Sequence, residues 1–190
     1  MEGNPHGEDQ VLIPADLAES FQPVIGQAVT LRPLQREDAD VESAFLEGLS
    51  PETRHNRLLG GAIRITREYV ERLTRVDFER DMALAATVML DDRETLIGVA
   101  RYVRDADAQG CEFALVVADA WQSRGIGRRL MAKLIGVARA RGLPRIYGDV
   151  LSTNLRMLQF CRELGFAARR HPDDPTVTRV TLDLRPGSAP

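Results

Sequence analysis

The sequence predicts a mixed α/β domain in which an antiparallel sheet is followed by a βαβ unit. Three strand-like runs at residues 82–90, 95–103 and 111–118 follow one another, and the first two are joined by a short polar turn at 91–94. A long amphipathic helix, a short strand and a second helix then alternate, which is typical of a parallel crossover connection. The chain has 190 residues and a mass of 21.1 kDa, which is the size of one domain.

Local sequence features set the remaining element boundaries. Ser50 followed by Pro51 predicts a helix N-cap, and Thr66 opens another helix. Gly142 and Pro144 end the long helix. In chain order, the predicted elements are a strand at 27–31, helices at 37–49, from 50 and from 66, strands at 82–90, 95–103 and 111–118, a helix at 124–141, a strand at 145–151, a helix at 154–164 and a strand at 176–184.

The two ends of the chain differ in composition from the middle. Residues 1–25 are rich in proline, glycine and acids and are predicted to form an N-terminal tail, because chain ends are often loosely ordered. Residues 26–185 are predicted to form the domain itself. Residues 186–190, which follow the last predicted strand, are predicted to form a C-terminal tail.

The overall charge of the chain excludes several classes of partner. The net charge of −3 provides no basic field for binding nucleic acid or an anionic membrane. The longest apolar run, 82–90, is too short to span a bilayer. The acidic, polar N-terminus does not resemble a secretory signal, so a cytoplasmic protein is expected.

The cysteines and histidines give no indication of a metal site or a disulfide framework. Cys111 and Cys161 lie far apart without a CxxC motif, and the three histidines are scattered. We therefore expect two reduced thiols and no bound metal.

One segment carries the pattern of an anion-binding loop. The predicted strand at 111–118 leads through a turn into the helix, and the turn reads Gln122-Ser123-Arg124-Gly125-Ile126-Gly127-Arg128. The two glycines allow a ligand to approach the backbone closely. The first N–H groups of a helix have no partner within the helix, so they bind phosphate groups. Two arginines add positive charge in the same turn.

A second motif lies downstream, where Asn154 opens a helix that ends in Gly165-Phe166. Together the two motifs resemble the GNAT superfamily of acyl-CoA-dependent N-acyltransferases, over roughly residues 27–184. This resemblance implies a mostly antiparallel sheet flanked by helices, with a splayed parallel strand pair that binds CoA. It implies acetyl-CoA as the cosubstrate and assigns its binding to Asn154, to the loop from Gln122 to Arg128 (Gln122, Ser123, Arg124, Gly125, Ile126, Gly127 and Arg128), and to the backbone of Leu115, Val116 and Val117.

Within the superfamily, the sequence resembles the Pat-type protein lysine acetyltransferases. The residues that carry this likeness lie at 81–86, 98–102 and 111–117. The likeness assigns the role of general base to Glu112, the one charged residue in an otherwise apolar strand. An apolar environment raises the pKa of a carboxylic acid, which suits this role. The alternative for Glu112 is a strand-end carboxylate that pairs with an arginine.

Two further residues leave the assignment of roles open. Asp149 is the rival base, because superfamily members that acetylate ribosomal-protein N-termini use an acid at this spacing. The alternative interpretation of Asp149 is a strand residue that faces solvent and has no catalytic role. Cys161 stands where many members carry a tyrosine that protonates the leaving thiolate, so the general acid is unassigned. A small, buried hydrophobic side chain is the simpler interpretation of Cys161.

The expected function is transfer of an acetyl group from acetyl-CoA to an amine, the ε-amine of a protein lysine, by direct attack in a ternary complex. A small-molecule amine acetyltransferase is the enzymatic alternative. A non-catalytic acyl-CoA-binding regulatory module is the alternative of another class, and Cys161 is its main support. The expected quaternary structure is a monomer or a homodimer.

Overall fold

The computed structural model describes residues 17–23 and 27–185. Residues 1–16 and 24–26, which include most of the predicted N-terminal tail at 1–25, and the predicted C-terminal tail at 186–190 lie outside the described residues. The strands are β1 (Glu19–Phe21), β2 (Val29–Pro33), β3 (Asp81–Leu90), β4 (Arg93–Arg104), β5 (Cys111–Val117), β6 (Arg145–Leu151), β7 (Ala167–Arg170) and β8 (Val177–Asp183). The helices are α1 (Ala39–Glu47), α2 (Pro51–Arg57), α3 (Arg67–Thr74), α4 (Ile126–Ala140) and α5 (Leu155–Glu163).

One sheet of eight strands organises the described part of the chain. Its order is β1-β2-β3-β4-β5-β6-β8-β7. Every neighbouring pair is antiparallel except β5 and β6, which run parallel with α4 as the connection between them. The predicted fold class is confirmed, including the antiparallel first half and the later βαβ unit.

The two faces of the sheet carry separate apolar layers. The face covered by α4 and α5 holds the larger cluster, in which Leu130, Leu134 and Leu158 pack against side chains of the central strands. The opposite face is covered by α1 and α3, where Phe45 and Val70 pack on β3 and β4. Because side chains alternate along β5, neighbouring residues of this strand lie on opposite faces of the sheet.

The sheet begins earlier than the sequence predicted. Residues 1–25 were assigned to a tail, but Leu17 is buried and β1 pairs with β2. Glu19 ties this edge strand to α4, since its carboxylate accepts a hydrogen bond from Lys133 at 2.7 Å. Leu17 therefore packs onto the domain, and β1 escaped prediction because a strand of three residues is too short to show a clear alternation of apolar and polar residues.

Several boundaries differ in detail from the prediction. The β3–β4 connection is a two-residue turn at Asp91-Asp92, both with positive φ, so β4 starts at Arg93 within the predicted turn. The long helix begins at Ile126, two positions after its predicted start, because Gly125 takes a left-handed conformation. The exposed strand β7 was not predicted at all, because none of its four residues is buried.

The parallel strands β5 and β6 pair only at their beginnings. The paired positions are Cys111 with Ile146 and Glu112 with Tyr147, and the two strands separate beyond them. Where they separate, the ring of Phe113 lies over Gly148, and a Cβ atom there would stand 2.7 Å from that ring. The edge of β5 that faces the gap is therefore open to a ligand.

Candidate active site

A cleft of about 920 Å³ lies where β5 and β6 separate. One wall is β5 from Glu112 to Val117, and the opposite wall comes from the end of β6 and the start of α5. Residues of α2 and of the loop before α4 complete it. The cleft thus joins an open strand edge to the N-terminal ends of two helices.

The loop that precedes α4 has the backbone conformation of an anion-binding turn. Ser123 and Gly125 both have positive φ, at 59° and 79°. A Cβ atom on Gly125 would meet nothing within 4 Å, so the space in front of the helix is open. The helix begins at Ile126, and its first backbone N–H groups have no partners within the helix. The turn therefore offers donors to an anion without a bulky side chain in the way.

The structure brings most of the predicted site residues together around this cleft. Lining residues from the predicted set are Glu112, Leu115, Val116, Val117, Gln122, Ser123, Gly125, Gly127, Arg128 and Asn154. Arg124 is not among them, because its guanidinium stacks over the ring of Trp121 at 4.9 Å. Ile126 is buried in the core, so only its backbone faces the turn.

Three of the predicted cleft residues also make structural contacts. Asn154 caps α5, since its Oδ1 accepts a hydrogen bond from the backbone N–H of Met157 at 3.1 Å. Gln122 donates to the carbonyl oxygen of Val117 at 3.0 Å, which fixes the loop against the end of β5. Arg128 pairs with Glu163 of α5 at 2.7 Å across the mouth of the cleft.

Arg156 is a cleft residue that the sequence reasoning missed. Its guanidinium donates to Gln122 Oε1 at 2.6 Å and to Ser123 Oγ at 2.7 Å. Both partners are uncharged, and no carboxylate pairs with Arg156 among residues 17–23 and 27–185. Its positive charge therefore stands at the anion-binding turn without compensation. Only its place two residues after Asn154 hinted at this position.

Asp119 connects the segment between β5 and α4 to the start of α2. The sequence did not predict this contact. Its carboxylate accepts hydrogen bonds from the backbone N–H of Ser50 at 3.0 Å, from Ser50 Oγ at 2.7 Å and from Thr53 Oγ1 at 2.7 Å. Ser50 is the N-cap of α2, as the sequence predicted. One acid thus fixes the start of α2, and residues along this helix line the cleft.

Glu112 stands at the last paired position before the strands separate. Although the residue is exposed as a whole, its carboxylate is partly withdrawn from water, and this desolvation raises its pKa above the usual range. The negative charges of Asp149 and Asp105 raise the pKa further, while Arg179 and Arg57 oppose them. A carboxylate of this kind accepts a proton more readily than an ordinary surface glutamate.

Asp149 lies on the neighbouring strand and is firmly paired. Arg179 donates to both of its carboxylate oxygens at 2.8 Å, from the register-partner position on β8. His171 Nε2 lies 3.5 Å from the same carboxylate. Asp149 is thus a partly buried, bidentate-bound carboxylate rather than the solvent-facing residue that the sequence alternative described.

Cys161 lies away from the cleft, in the core between α5 and the sheet. Burial raises the pKa of its thiol to about 12. A thiol with so high a pKa provides almost no thiolate at neutral pH, and so it is a poor acetyl carrier. The interpretation of Cys161 as a small buried side chain agrees with this position.

The model of the acetyltransferase (GNAT) family matches residues 55–166, which include β5, the loop, α4 and α5. An acetyltransferase from Pseudomonas aeruginosa is 36% identical over 151 residues, covering 80% of this chain and 81% of that protein. The chain therefore belongs to the GNAT acetyltransferase family.

Further relatives support the resemblance to Pat. Acetyltransferase Pat from Mycolicibacterium smegmatis is 36% identical over 92 residues, which are 48% of this chain but 27% of that longer protein. The GNAT domain of PAT from S. lividans superposes with a TM-score of 0.80 at 28% identity, covering 90% of this chain and 99% of that one. A ribosomal-protein-S5-alanine acetyltransferase from Vibrio fischeri, at 14% identity and a TM-score of 0.68, shares the fold.

Proposed function

We propose that this GNAT acetyltransferase transfers the acetyl group of acetyl-CoA to the ε-amine of a lysine in a protein, with Glu112 as the general base. The single observation that supports this most is the place of Glu112: it is the last β5 residue paired with β6 and the first on the cleft wall. A carboxylate there adjoins the strand edge along which the acyl donor is expected to bind.

The residues present fit an acyl-CoA. The open edge of β5 offers backbone groups to an extended amide chain such as pantetheine. The turn before α4 offers helix N–H groups, open space at Gly125 and the uncompensated guanidinium of Arg156 to the pyrophosphate. When bound, the cosubstrate supplies an acetyl thioester, which is activated toward amines. The GNAT family generally uses acetyl-CoA in this way.

The base is required because a lysine amine is mostly protonated at neutral pH, and only the neutral amine attacks a carbonyl carbon. Glu112 takes one proton from the ammonium group, directly or through a water. The nitrogen then forms the amide bond as the carbon–sulfur bond breaks, and the CoA sulfur leaves with the bonding pair. The second proton that the nitrogen loses passes to the thiolate, directly or through water. A thiol has a pKa near 8.5, so it leaves without needing an acid catalyst.

The surface beside Glu112 supports a macromolecular acceptor. The strand register places Asp81, Val103, Glu112 and Tyr147 side by side across four strands, with their side chains on one face. Val103 is 52% exposed, although it is an apolar residue next to the proposed base. This part of the sheet is an open face rather than an enclosed pocket, so the lysine of a large acceptor can reach it.

The described residues contain no helix that is long and apolar enough to cross a membrane. Both cysteines are free thiols in buried positions, which supports a reducing compartment, and we propose the cytoplasm as the site of action.

The experiment that tests this function follows both products. Purified enzyme is incubated with acetyl-CoA and either blocked lysine peptides, folded candidate proteins or small amines, and CoA release and intact acceptor mass are measured together. We expect equal amounts of CoA and acetylated lysine, and no CoA release without acceptor. Lys133 is the only lysine of the chain, so Lys133→Arg removes lysine self-acetylation from the background.

Other outcomes assign the chain to one of the alternatives. Acetylation of small amines but of no peptide or protein would make it a small-molecule acetyltransferase. Tight binding of acetyl-CoA without CoA release on any acceptor would make it a regulatory binding module.

A further inference from the structure

Arg57 lies in the last turn of α2 and lines the same cleft as Glu112. Its positive charge is close enough to Glu112 to lower the pKa of that carboxyl, although the two side chains are not bonded. Arg57 therefore lines the part of the cleft that holds the proposed base. Neither the sequence motifs nor the proposed reaction gives it a role.

The guanidinium of Arg57 has no partner in the part of the chain that the structure describes. Within residues 17–23 and 27–185 it makes no hydrogen bond, ion pair or ring contact. Most other half-buried arginines of the described residues contact a carboxylate, a carbonyl oxygen or an aromatic ring: Arg179 binds Asp149, and Arg32 binds Asp38 and Glu94. A guanidinium without such a partner keeps its five N–H donors available, and the place of Arg57 on the cleft wall makes them available to a ligand.

Among the described residues, Arg57 is linked to nearby acids by charge alone. Glu42 is the nearby buried acid, and its charge interacts with Arg101 as well as with Arg57. Arg101 is half-buried and donates to the carbonyl oxygen of Leu73 at 2.6 Å. Arg57 interacts with the charges of Glu42 and Glu112 but bonds to neither, and it is the one of the two arginines that lines the cleft. Its N–H donors are therefore open to a ligand.

We propose that Arg57 binds a carboxylate of the acceptor that lies close to the reacting amine, so that the enzyme selects acceptors carrying both groups. This inference rests on the proposed acetyl transfer and adds the substrate feature that the cleft recognises. A planar guanidinium binds a carboxylate through two parallel hydrogen bonds, which orients the acceptor as well as attracting it. The carboxylate belongs either to an acidic residue beside the target lysine or to the α-carboxyl group of an amino acid.

The experiment compares matched acceptors that differ only in this carboxylate. One pair is a blocked peptide with aspartate beside the lysine and the same peptide with asparagine. The other pair is Nα-acetyl-lysine and its carboxamide. We expect the acid member of one pair to react with a kcat/KM about tenfold or more higher, which is the size of one charge-assisted, bidentate contact. The pair that shows the preference identifies the source of the carboxylate.

Variants of Arg57 separate recognition from structure. Arg57→Gln removes the charge at similar length, and we expect the acid preference to fall to about one through a higher KM for the acid acceptor. The KM for acetyl-CoA and the kcat for the neutral acceptor should stay within a few-fold. Arg57→Lys keeps the charge but lacks the planar guanidinium that makes two parallel hydrogen bonds. This variant should therefore restore only part of the preference. Arg64→Gln is the matched control, since Arg64 is exposed and lies outside the cleft.

Three results would overturn this inference. The first is acetylation of both members of each pair at equal rates by the wild-type enzyme, which leaves the proposed function intact. The second is an equal loss of kcat/KM on acid and neutral acceptors in Arg57→Gln at a pH where Glu112 is ionised, which would give Arg57 a role in the reaction or the structure rather than in recognition of the carboxylate. The third is acetylation of no acceptor at all, which would remove the proposed function as well.

Discussion

Arg179 donates to both carboxylate oxygens of Asp149 at 2.8 Å. Because both oxygens are engaged, Asp149 is poorly placed to accept a proton from an acceptor amine. Its charge nevertheless raises the pKa of Glu112, after the larger effect of desolvation. We therefore interpret Asp149 as a residue that sets the proton affinity of the base rather than as the base itself.

Asp149→Asn should leave turnover within about tenfold of wild type at neutral pH, well short of the loss of a general base. The substitution removes a negative charge near Glu112 and frees Arg179, and both changes lower the pKa of Glu112. The base must be ionised to act, so the acid limb of the kcat/KM profile should move to lower pH. The pH profile checks this, with Asp173→Asn as an exposed control. A shift to higher pH would contradict the electrostatic role.

Gly125→Glu should abolish acetyl-CoA binding, because it places a carboxylate in the open space before α4 where the pyrophosphate is expected. The residue has φ of 79°, so any side chain also costs about 1 kcal/mol of stability. Isothermal titration of the folded variant measures the affinity. Gly125→Gln, which has the same bulk without charge, should retain part of it.

Gly142→Glu controls for backbone strain in that experiment. Gly142 has φ of 67°, a Cβ atom there would also meet nothing within 4 Å, and the residue lies just past the C-terminal end of α4. We expect this variant to lose similar stability and to bind acetyl-CoA normally. Unchanged affinity in Gly125→Glu would remove the turn from the cofactor site.

Cys161→Ala should lower stability by roughly 1 kcal/mol or somewhat more, because it leaves a small cavity in the core. Turnover should stay within a few-fold of wild type. Thermal or denaturant unfolding and steady-state kinetics measure the two effects. An acetyl group found on Cys161 by peptide mass spectrometry, and then discharged by an added amine, would overturn direct attack in a ternary complex.

Asp119→Ala should loosen the start of α2, because the variant loses three hydrogen bonds to Ser50 and Thr53. We expect faster amide hydrogen exchange within residues 51–57 and a loss of about 1 kcal/mol of stability. The KM for the acceptor should rise more than the KM for acetyl-CoA. Glu37→Ala, an exposed acid outside the cleft, is the control. Unchanged exchange in α2 would show that other contacts fix it.

Features that depend on local sequence were predicted well. Ser50, Thr66 and Asn154 cap helices where the sequence placed caps, because a cap forms between residues three positions apart. The helix after Gly125 was also predicted, although two positions too early, because the left-handed conformation of Gly125 delays its start. The central strands were found because their apolar runs are long.

Features that depend on contacts between distant segments were not predicted. Arg156 bonds to Ser123 over a sequence separation of 33 residues, and Asp119 bonds to Ser50 over 69. No local sequence pattern indicates either contact. Arg179 faces Asp149 only because of the register between β6 and β8. The sequence suggested both Glu112 and Asp149 as bases, and the bidentate pairing of Asp149 is the reason why we propose Glu112.

The comparison of Glu112→Gln with wild type tests the central claim most directly. Single-turnover transfer from acetyl-CoA to a lysine acceptor is measured across pH, with acetyl-CoA affinity measured in parallel. The account predicts a loss of about a hundredfold or more in the transfer rate, unchanged affinity, and the disappearance of the acid limb assigned to Glu112. A Glu112→Gln enzyme that transfers acetyl groups within a few-fold of wild type over the whole pH range would contradict it.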